Sequence, residues 1–216
     1  MVYYGPMRPI ETSTSDFAAL RKKGTIYVDK TAWLYRLVSD VGRSLCFLSR
    51  PRRFGKSLMI TALKEVFNAT FAPGVRRKLE DAGYVYDDAL PPSVNFGNAI
   101  DDLSKRNGGR GTVVLIDEYD APVSHALSNL SLAEAIRTRL SDFYSVMKTR
   151  TGSIRFLMMA GVSKFTKMSV FSCLNNIVDV SMDEEFATML GYTEEELEAN
   201  FEEHLRAHSE KMGKPY

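Results

Sequence analysis

The chain has 216 residues, 44% of them hydrophobic and 25% charged, a composition that suits a folded domain and excludes disorder as a whole. Its formal net charge of +1 gives no reason to expect a nucleic-acid-binding protein from bulk electrostatics. No apolar run reaches the roughly 18 residues needed to cross a membrane, no signal peptide opens the chain, and the two cysteines have no zinc or disulfide spacing, so we expect a cytoplasmic protein.

Hydrophobic periodicity predicts helices and strands that alternate along the chain. The expected strands are the apolar runs at residues 45–48, 112–116, 154–160 and 177–180. The expected helices lie at residues 16–21, 30–40, 55–68, 75–82, 95–105, 131–149 and from Thr193 onward. Asp29 is a suitable N-cap for the second helix, and Thr193 with Glu196 forms a capping-box pattern for the last one. This alternation predicts an α/β fold with a mainly parallel sheet.

The segment between the first predicted strand and its helix matches most of a phosphate-binding loop. The usual pattern is G-x-x-x-x-G-K-[ST] between a strand and a helix. Gly55, Lys56 and Ser57 match its end, whereas Arg50 stands at the first glycine position. Backbone N–H groups of such a loop face the β-phosphate, the lysine bridges the β- and γ-phosphates, and the hydroxyl ligates Mg²⁺. The alternative is a chance tripeptide in a solvated basic turn.

The residues assigned to nucleotide binding are Arg50, Pro51, Arg52, Arg53, Phe54, Gly55, Lys56, Ser57 and Leu58.

Two carboxylates follow the second predicted strand, as in the Walker B arrangement. Asp117 at the strand tip would hold Mg²⁺ together with Ser57, and Glu118 would polarise the attacking water. A helix cap or a surface acidic cluster is the alternative. Because a phosphate loop and this acidic strand end occur together, we predict triphosphate binding with Mg²⁺, and we assign Lys56 and Glu118 to catalysis.

The loop after the third predicted strand supplies two further candidates. Ser163 and Lys164 follow that strand, at a place where a polar side chain can sense the γ-phosphate. An ordinary loop is the alternative interpretation.

Several separate segments resemble the AAA-ATPase-like family of prokaryotic proteins, many of which carry a restriction-endonuclease-like nuclease module after the ATPase region. The segments are residues 27–31 (YVDKT), 49–58 (SRPRRFGKSL), 115–122 (LIDEYDAP), 171–176 (FSCLNN) and 190–196 (LGYTEEE). The resemblance implies an ATP-binding P-loop protein with Lys56 and Ser57 on phosphate and Mg²⁺. It implies that Asp117 binds Mg²⁺ and that Glu118 acts in hydrolysis. It also implies that arginine in place of the first loop glycine, here Arg50, is a trait of the family. ATP is preferred over GTP on this resemblance alone, with adenine contacts expected near residues 27–31.

The chain also departs from the family. Lys164 stands where the family usually has arginine, so a point charge replaces a planar fork. The family usually has another strand before the acidic one, but residues 69–111 show no strand pattern, so we expect a sheet that lacks one strand and has an open edge. The chain stops at Tyr216, so we expect no nuclease module or nuclease activity in it, and a truncated member or a fragment of a longer reading frame. We expect residues 1–180 to form the ATPase-like domain and residues 181–216 a helical extension or truncated lid.

Three functions of different class stay open at this point. The first is an ATPase whose hydrolysis drives a conformational change in a partner. The second is a nucleotide-dependent interaction module with little or no turnover. The third is a nucleic-acid-binding protein that uses the arginines of the loop, which the neutral overall charge does not support. A protein partner or self-association is compatible with the first two, and no membrane partner is expected.

Overall fold

A single parallel sheet organises the computed structural model, which describes residues 7–67, 75–162 and 177–213. Its strands are β1 (Leu45–Ser49), β2 (Thr112–Ile116), β3 (Ile154–Gly161) and β4 (Val178–Asp179). Their order across the sheet is β2-β3-β1-β4, and all three neighbouring pairs are parallel. The predicted α/β class and the four predicted strand positions are confirmed.

Helices cover both faces of this sheet. They are α1 (Phe17–Lys22), α2 (Thr31–Ser39), α3 (Lys56–Val66), α4 (Val75–Asp81), α5 (Pro92–Arg106), α6 (Ala121–His125), α7 (Leu130–Ser145) and α8 (Glu194–Met212). None of the helices in the described part of the chain has the length and apolar character that a membrane span requires.

The two central strands, β1 and β3, are largely apolar because both of their faces are covered. Cys46, Phe47 and Leu48 of β1 are fully buried. Phe47 belongs to the core cluster that includes residues of α5 and α7, whereas Cys46 and Leu48 belong to the cluster that includes residues of α2 and α3. Strand side chains alternate between the two faces, so one short run supplies both cores.

Two predicted helix details are wrong. The N-cap of α2 is Lys30, and Asp29 instead accepts a hydrogen bond from the N–H of Thr31 at 2.8 Å. Helix α7, predicted over residues 131–149, ends at Ser145 and is followed by a turn and then by a 3₁₀ segment, Lys148–Ser153. The capping box at the start of α8 is confirmed, with Thr193 accepting from the N–H of Glu196 and Glu196 from that of Thr193.

The parallel arrangement places the phosphate loop and the acidic strand end at the same end of the sheet, where the carboxyl ends of the strands lie. The loop follows β1 and the carboxylates follow β2, with β3 between the two strands. Because β1 and β2 are two strand spacings apart, their carboxyl ends are separated by about 10 Å. A lysine side chain at the start of α3 can bridge much of that gap.

Strand β2 forms one edge of the sheet. Within residues 75–111 the structure has helices α4 and α5 but no strand, and β2 pairs only with β3. Among the described residues β2 therefore has one open edge, while residues 69–74 of the range in which no strand was expected lie outside the described part of the chain.

Candidate nucleotide-binding site

The loop between β1 and α3 has the backbone of an anion-binding turn. Gly55 is the N-cap of α3 with φ of 88°, and Arg53 also has a positive φ of 63°. No side chain caps the first turn of α3 in the described part of the chain. The first N–H groups of a helix have no partner within the helix and lie at its positive end, so this turn suits a phosphate. Glycine adopts the left-handed conformation at Gly55 without steric cost.

Lys56 is buried at the centre of the site. Lys56 is 6% exposed, and its Nζ atom donates hydrogen bonds to the carbonyl oxygens of Arg50 at 2.7 Å and Pro51 at 2.8 Å. Burial lowers the pKa of Lys56, while the charges of Asp117, then Asp120 and Glu118, act in the opposite direction. The ammonium and the carboxylates of the β2 end therefore lie within electrostatic reach of one another. Its present acceptors are neutral carbonyls, so an anionic phosphate oxygen would make a stronger hydrogen bond.

The three loop arginines have different surroundings. The guanidinium of Arg50 donates to the carbonyl of Ser181, and its backbone N–H donates to Gly161 at 3.2 Å. Arg50 therefore ties the loop to β3 and to the segment after β4. Arg52 and Arg53 are exposed, and the charge of Arg52 lowers the pKa of Lys56, after burial as the main cause.

The acidic end of β2 turns sharply. Glu118 has a positive φ of 50°, and its N–H donates to Oδ1 of Asp117 at 2.9 Å. Positive φ is uncommon outside glycine and is often found at functional sites. Asp117 is half-buried and Glu118 is exposed, so both carboxylates are accessible from the edge of the sheet.

Two residues that the sequence interpretation left without a role hold this turn in place. The N–H of Tyr119 donates to Ala160 at 3.2 Å, and Asp120, which is 2% exposed, accepts from the N–H of Val162 at 3.1 Å and 3.3 Å. Both bonds join the acidic turn to the end of β3. The acidic run after β2 was the only sequence signal for Asp120, and it does not distinguish a positioning carboxylate from a metal ligand.

Ser163 and Lys164 lie outside the described residues. Their assignment to nucleotide sensing therefore stays a prediction.

A largely apolar cavity of about 490 Å³ lies beside the loop. Its lining includes Tyr27 and Val28, Leu58 and Met59 of α3, and Tyr192 and Phe201 near the C-terminal end of the described chain. The residues expected near the base, 27–31, thus contribute Tyr27, Val28 and Lys30 to its lining.

Lys30, which lines this cavity, forms an ion pair with Glu196. Nζ of Lys30 lies 2.5 Å and 2.6 Å from the two carboxylate oxygens of Glu196 and 2.7 Å from the carbonyl of Thr188. Burial raises the pKa of Glu196, but the hydrogen bonds from Lys30 and from the N–H of Thr193 outweigh it, and the net shift is downward. Glu196 was predicted as a cap residue only; its second role depends on a residue 166 positions away.

Together the parallel sheet, the uncapped helix start with its buried lysine and the neighbouring acidic strand end define a P-loop NTPase-like α/β protein. A family model described as predicted AAA-ATPase matches residues 11–78 and 69–171, and the chain belongs to that family.

A curated relative is the "uncharacterized protein in vnfD 5'region" of Azotobacter chroococcum mcd 1, which is 34% identical over 225 residues. The alignment covers 86% of this chain but 43% of the relative, so the chain spans less than half of that protein's length. No solved structure matches the chain.

Proposed function

We propose that this chain binds ATP with Mg²⁺ at the loop of residues 50–57 and hydrolyses it to drive a conformational change in a partner. The observation that supports this best is the position of Lys56. Its buried ammonium lies beside the uncapped start of α3 and within electrostatic reach of Asp117 and Glu118. A polyphosphate and its cation need this combination of N–H donors, one fixed ammonium and nearby carboxylates.

The residues of the loop fit the phosphates. The N–H groups of the first α3 turn supply donors, and Nζ of Lys56 exchanges its two carbonyl acceptors for phosphate oxygens. The hydroxyl of Ser57 and the carboxylate of Asp117 are oxygen donors of the kind that Mg²⁺ prefers. The bound cation would neutralise phosphate charge during hydrolysis.

The apolar cavity fits the base and the sugar. Its volume of about 490 Å³ lies within the usual range of small-molecule sites. Tyr27 and Tyr192 are aromatic residues of its lining, and Arg53 also borders it. We propose that the adenine lies there, between the segment around Tyr27 and the segment around Tyr192.

Glu118 is the proposed acceptor for the proton of the attacking water. It is exposed at the turn after β2, and the hydrogen bond of its N–H to Asp117 keeps the turn fixed. Asp120 acts as a positioning residue because it holds the same turn to β3. A carboxylate in this position orients water without entering the phosphate cradle itself.

Binding is tested by titrating a fluorescent ATP analogue with and without Mg²⁺ into the wild type, Lys56→Ala and Lys105→Ala. Lys105 is an exposed lysine on α5 outside the loop, so its variant controls for lost charge. We expect Mg²⁺-dependent binding that Lys56→Ala weakens at least about tenfold, or about 1.4 kcal/mol, and that Lys105→Ala leaves unchanged. Equal affinity in all three proteins would contradict the proposal.

Measuring ATP hydrolysis distinguishes an ATPase from a nucleotide-dependent interaction module with little or no turnover. One observation favours the module: the side chain of Arg50 is bonded to Ser181, so this cation is engaged away from the phosphate cradle. We expect phosphate release by the wild type and its loss in Glu118→Gln with binding retained. Tight binding without turnover in the wild type, alone and with added partners, would favour the module.

A further inference from the structure

A groove of about 730 Å³ runs along the free edge of β2. Its lining includes Ile60 of α3 and Phe67 just after that helix, Leu79 of α4, Leu103 of α5, and Val113 and Leu115 of β2. Both β2 residues are only half-buried, although they face a core cluster. In the described part of the chain, β2 therefore has an unpaired edge with apolar walls on both sides.

An edge of this kind is a binding template. Each strand presents N–H and C=O groups to both sides, and β2 uses only those that face β3. Natural edges are usually charged, short or covered, because an exposed one pairs with other chains. Here the central position, Val114, is buried and its neighbours are apolar, so side chains do not block the edge.

The Azotobacter chroococcum relative differs from this chain in internal length. The alignment with the Azotobacter chroococcum relative is 225 residues long, longer than the whole 216-residue chain, yet it covers 86% of the chain. The relative therefore has internal residues that this chain lacks. The two family matches overlap at residues 69–78, which places a break in correspondence between α3 and α4. Both of these helices border the groove.

The two ends of the groove have opposite charge. Arg155 follows Ile154, which pairs with Thr112 at the start of β2, and its guanidinium lies 5.7 Å from the ring centre of Phe67. Lys64 lines the same end from the last turn of α3. Asp117 and Glu118 line the other end, after β2. A segment lying along β2 thus meets a basic end first and an acidic end last.

We propose that this groove binds an extended peptide segment of a partner protein as an additional strand parallel to β2. Its backbone would pair with the free edge, and its alternate apolar side chains would enter the two core clusters. An acidic residue at its N-terminal end would face Arg155, and a basic one at its C-terminal end would face Asp117. Because β2 has five residues, the segment needs about five residues, or about 17 Å. Backbone pairing with this edge depends on the fold alone, whereas the charge preference at the C-terminal end of the segment uses Asp117, which the proposed Mg²⁺ site also uses.

The test uses labelled peptides in fluorescence anisotropy, with amide hydrogen exchange at residues 112–116. The first probe is a set of overlapping peptides that cover the internal residues of the Azotobacter chroococcum relative without a counterpart in this chain. The second is a seven-residue peptide of alternating valine and threonine with an aspartate at its N-terminus and a lysine at its C-terminus, compared with the same peptide with the two charges exchanged.

Leu103→Arg blocks the groove from α5 without touching β2 or the phosphate loop. Leu132→Arg on α7 is the matched control, since Leu132 is 50% exposed and does not line the groove. We expect saturable binding, slower exchange of β2 amides, and an affinity at least about tenfold lower in Leu103→Arg, or about 1.4 kcal/mol, but unchanged in Leu132→Arg. The charge-exchanged peptide should bind more weakly.

Three outcomes would overturn the proposal. The first is that neither probe binds the wild type, and the second is that a probe binds without slowing amide exchange at residues 112–116. The third is that raising the protein concentration alone slows amide exchange in β2, which would mean that a second copy of the chain occupies the groove. The exchange measurement needs no variant, so the test remains decisive if Leu103→Arg does not fold.

Discussion

Gly161 shows how closely the acidic turn approaches the end of β3. A Cβ atom at this position would lie 2.5 Å from the ring of Tyr119 and 2.7 Å from Oδ1 of Asp120. Both neighbours are almost fully buried and cannot move away easily. Only glycine allows the turn after β2 to rest on β3, which is what keeps Asp117 and Glu118 beside the phosphate loop.

We therefore expect Gly161→Ala to lower the free energy of unfolding by about 1–3 kcal/mol, measured as a shift in the urea midpoint. Gly152→Ala is the control, because no atom lies within 4 Å of the Cβ it would add. The control should change stability by no more than about 0.5 kcal/mol. Equal effects of the two variants would mean that the contact with Tyr119 and Asp120 is not tight.

Cys46 lies in the middle of β1 and is fully buried. Burial raises the pKa of its thiol from 9.0 to about 12. The thiolate is the reactive form, so we expect the native protein to resist alkylation of Cys46 at pH 8, as measured by peptide mass spectrometry, and the urea-unfolded protein to react.

The same shift predicts a pH dependence of stability. The folded state holds the Cys46 proton more tightly, so its contribution is complete below pH 9 and is lost as the pH rises towards 12. The urea midpoint of the wild type should fall over that range more steeply than that of Cys46→Ala. Parallel pH profiles would contradict the buried thiol.

At the scale of elements, helix α8 is joined to the N-terminal part of the chain by the Lys30–Glu196 ion pair and by a hydrogen bond between His204 and the carbonyl of Arg8. Its start depends on the local capping box, but its position depends on Lys30, whose ammonium reaches both Glu196 and the carbonyl of Thr188. Side-chain exposure is 11% for Lys30 and 25% for Glu196, so solvent screens the pair only partly. Lys30 also lines the cavity proposed for the base.

We expect Lys30→Met to destabilise the protein by about 1–3 kcal/mol, because it leaves Glu196 without its cation. Glu196→Gln keeps a side chain that fits the capping box and should cost less. Guanidinium or urea midpoints of the two variants give the comparison. A larger loss in Glu196→Gln than in Lys30→Met would show that the cap, and not the ion pair, positions α8.

The ion pair also predicts the acid side of the stability profile. The pKa of Glu196 is lowered in the folded state, so its contribution is present above its ordinary value of 4.5 and is lost as the pH falls below that value. The stability difference between the wild type and Lys30→Met, measured by urea midpoints, should therefore shrink as the pH falls below 4.5. A difference independent of pH would contradict the pair.

For the whole molecule, ligand linkage gives a test that requires no assumption about turnover. If the proposed site is correct, Mg²⁺ with ATP at about one hundred times the dissociation constant stabilises the fold by about 2.7 kcal/mol. Thermal melting of the wild type and of Lys105→Ala should therefore rise by several degrees. Lys56→Ala should show little or no rise at the same concentration, and an equal rise would mean that the ligand binds elsewhere.

Local patterns were enough to predict the elements of this chain. The apolar runs of β1, β2 and β3, the helix after Gly55 and the capping box at Thr193 all depend on residues close in sequence, so each was predicted to within a few residues. The end of α7 was not predicted, because the turn that follows the helix continues the spacing of apolar residues that a helix shows. The N-cap of α2 was not predicted either, because an aspartate before a helix can instead accept a hydrogen bond from the N–H of a nearby residue, here Thr31.

The sequence by itself determined the alternation of strands and helices, the family and the residues with phosphate-loop and acidic chemistry. Only the tertiary structure decided which of them meet. In the folded chain β3 lies between β1 and β2, and a groove runs beside β2. The side chain of Arg50 donates a hydrogen bond to Ser181, Asp120 accepts one from Val162, and Glu196 pairs with Lys30. Such contacts join residues tens to more than a hundred positions apart, and they follow from strand order and packing, which no local pattern encodes.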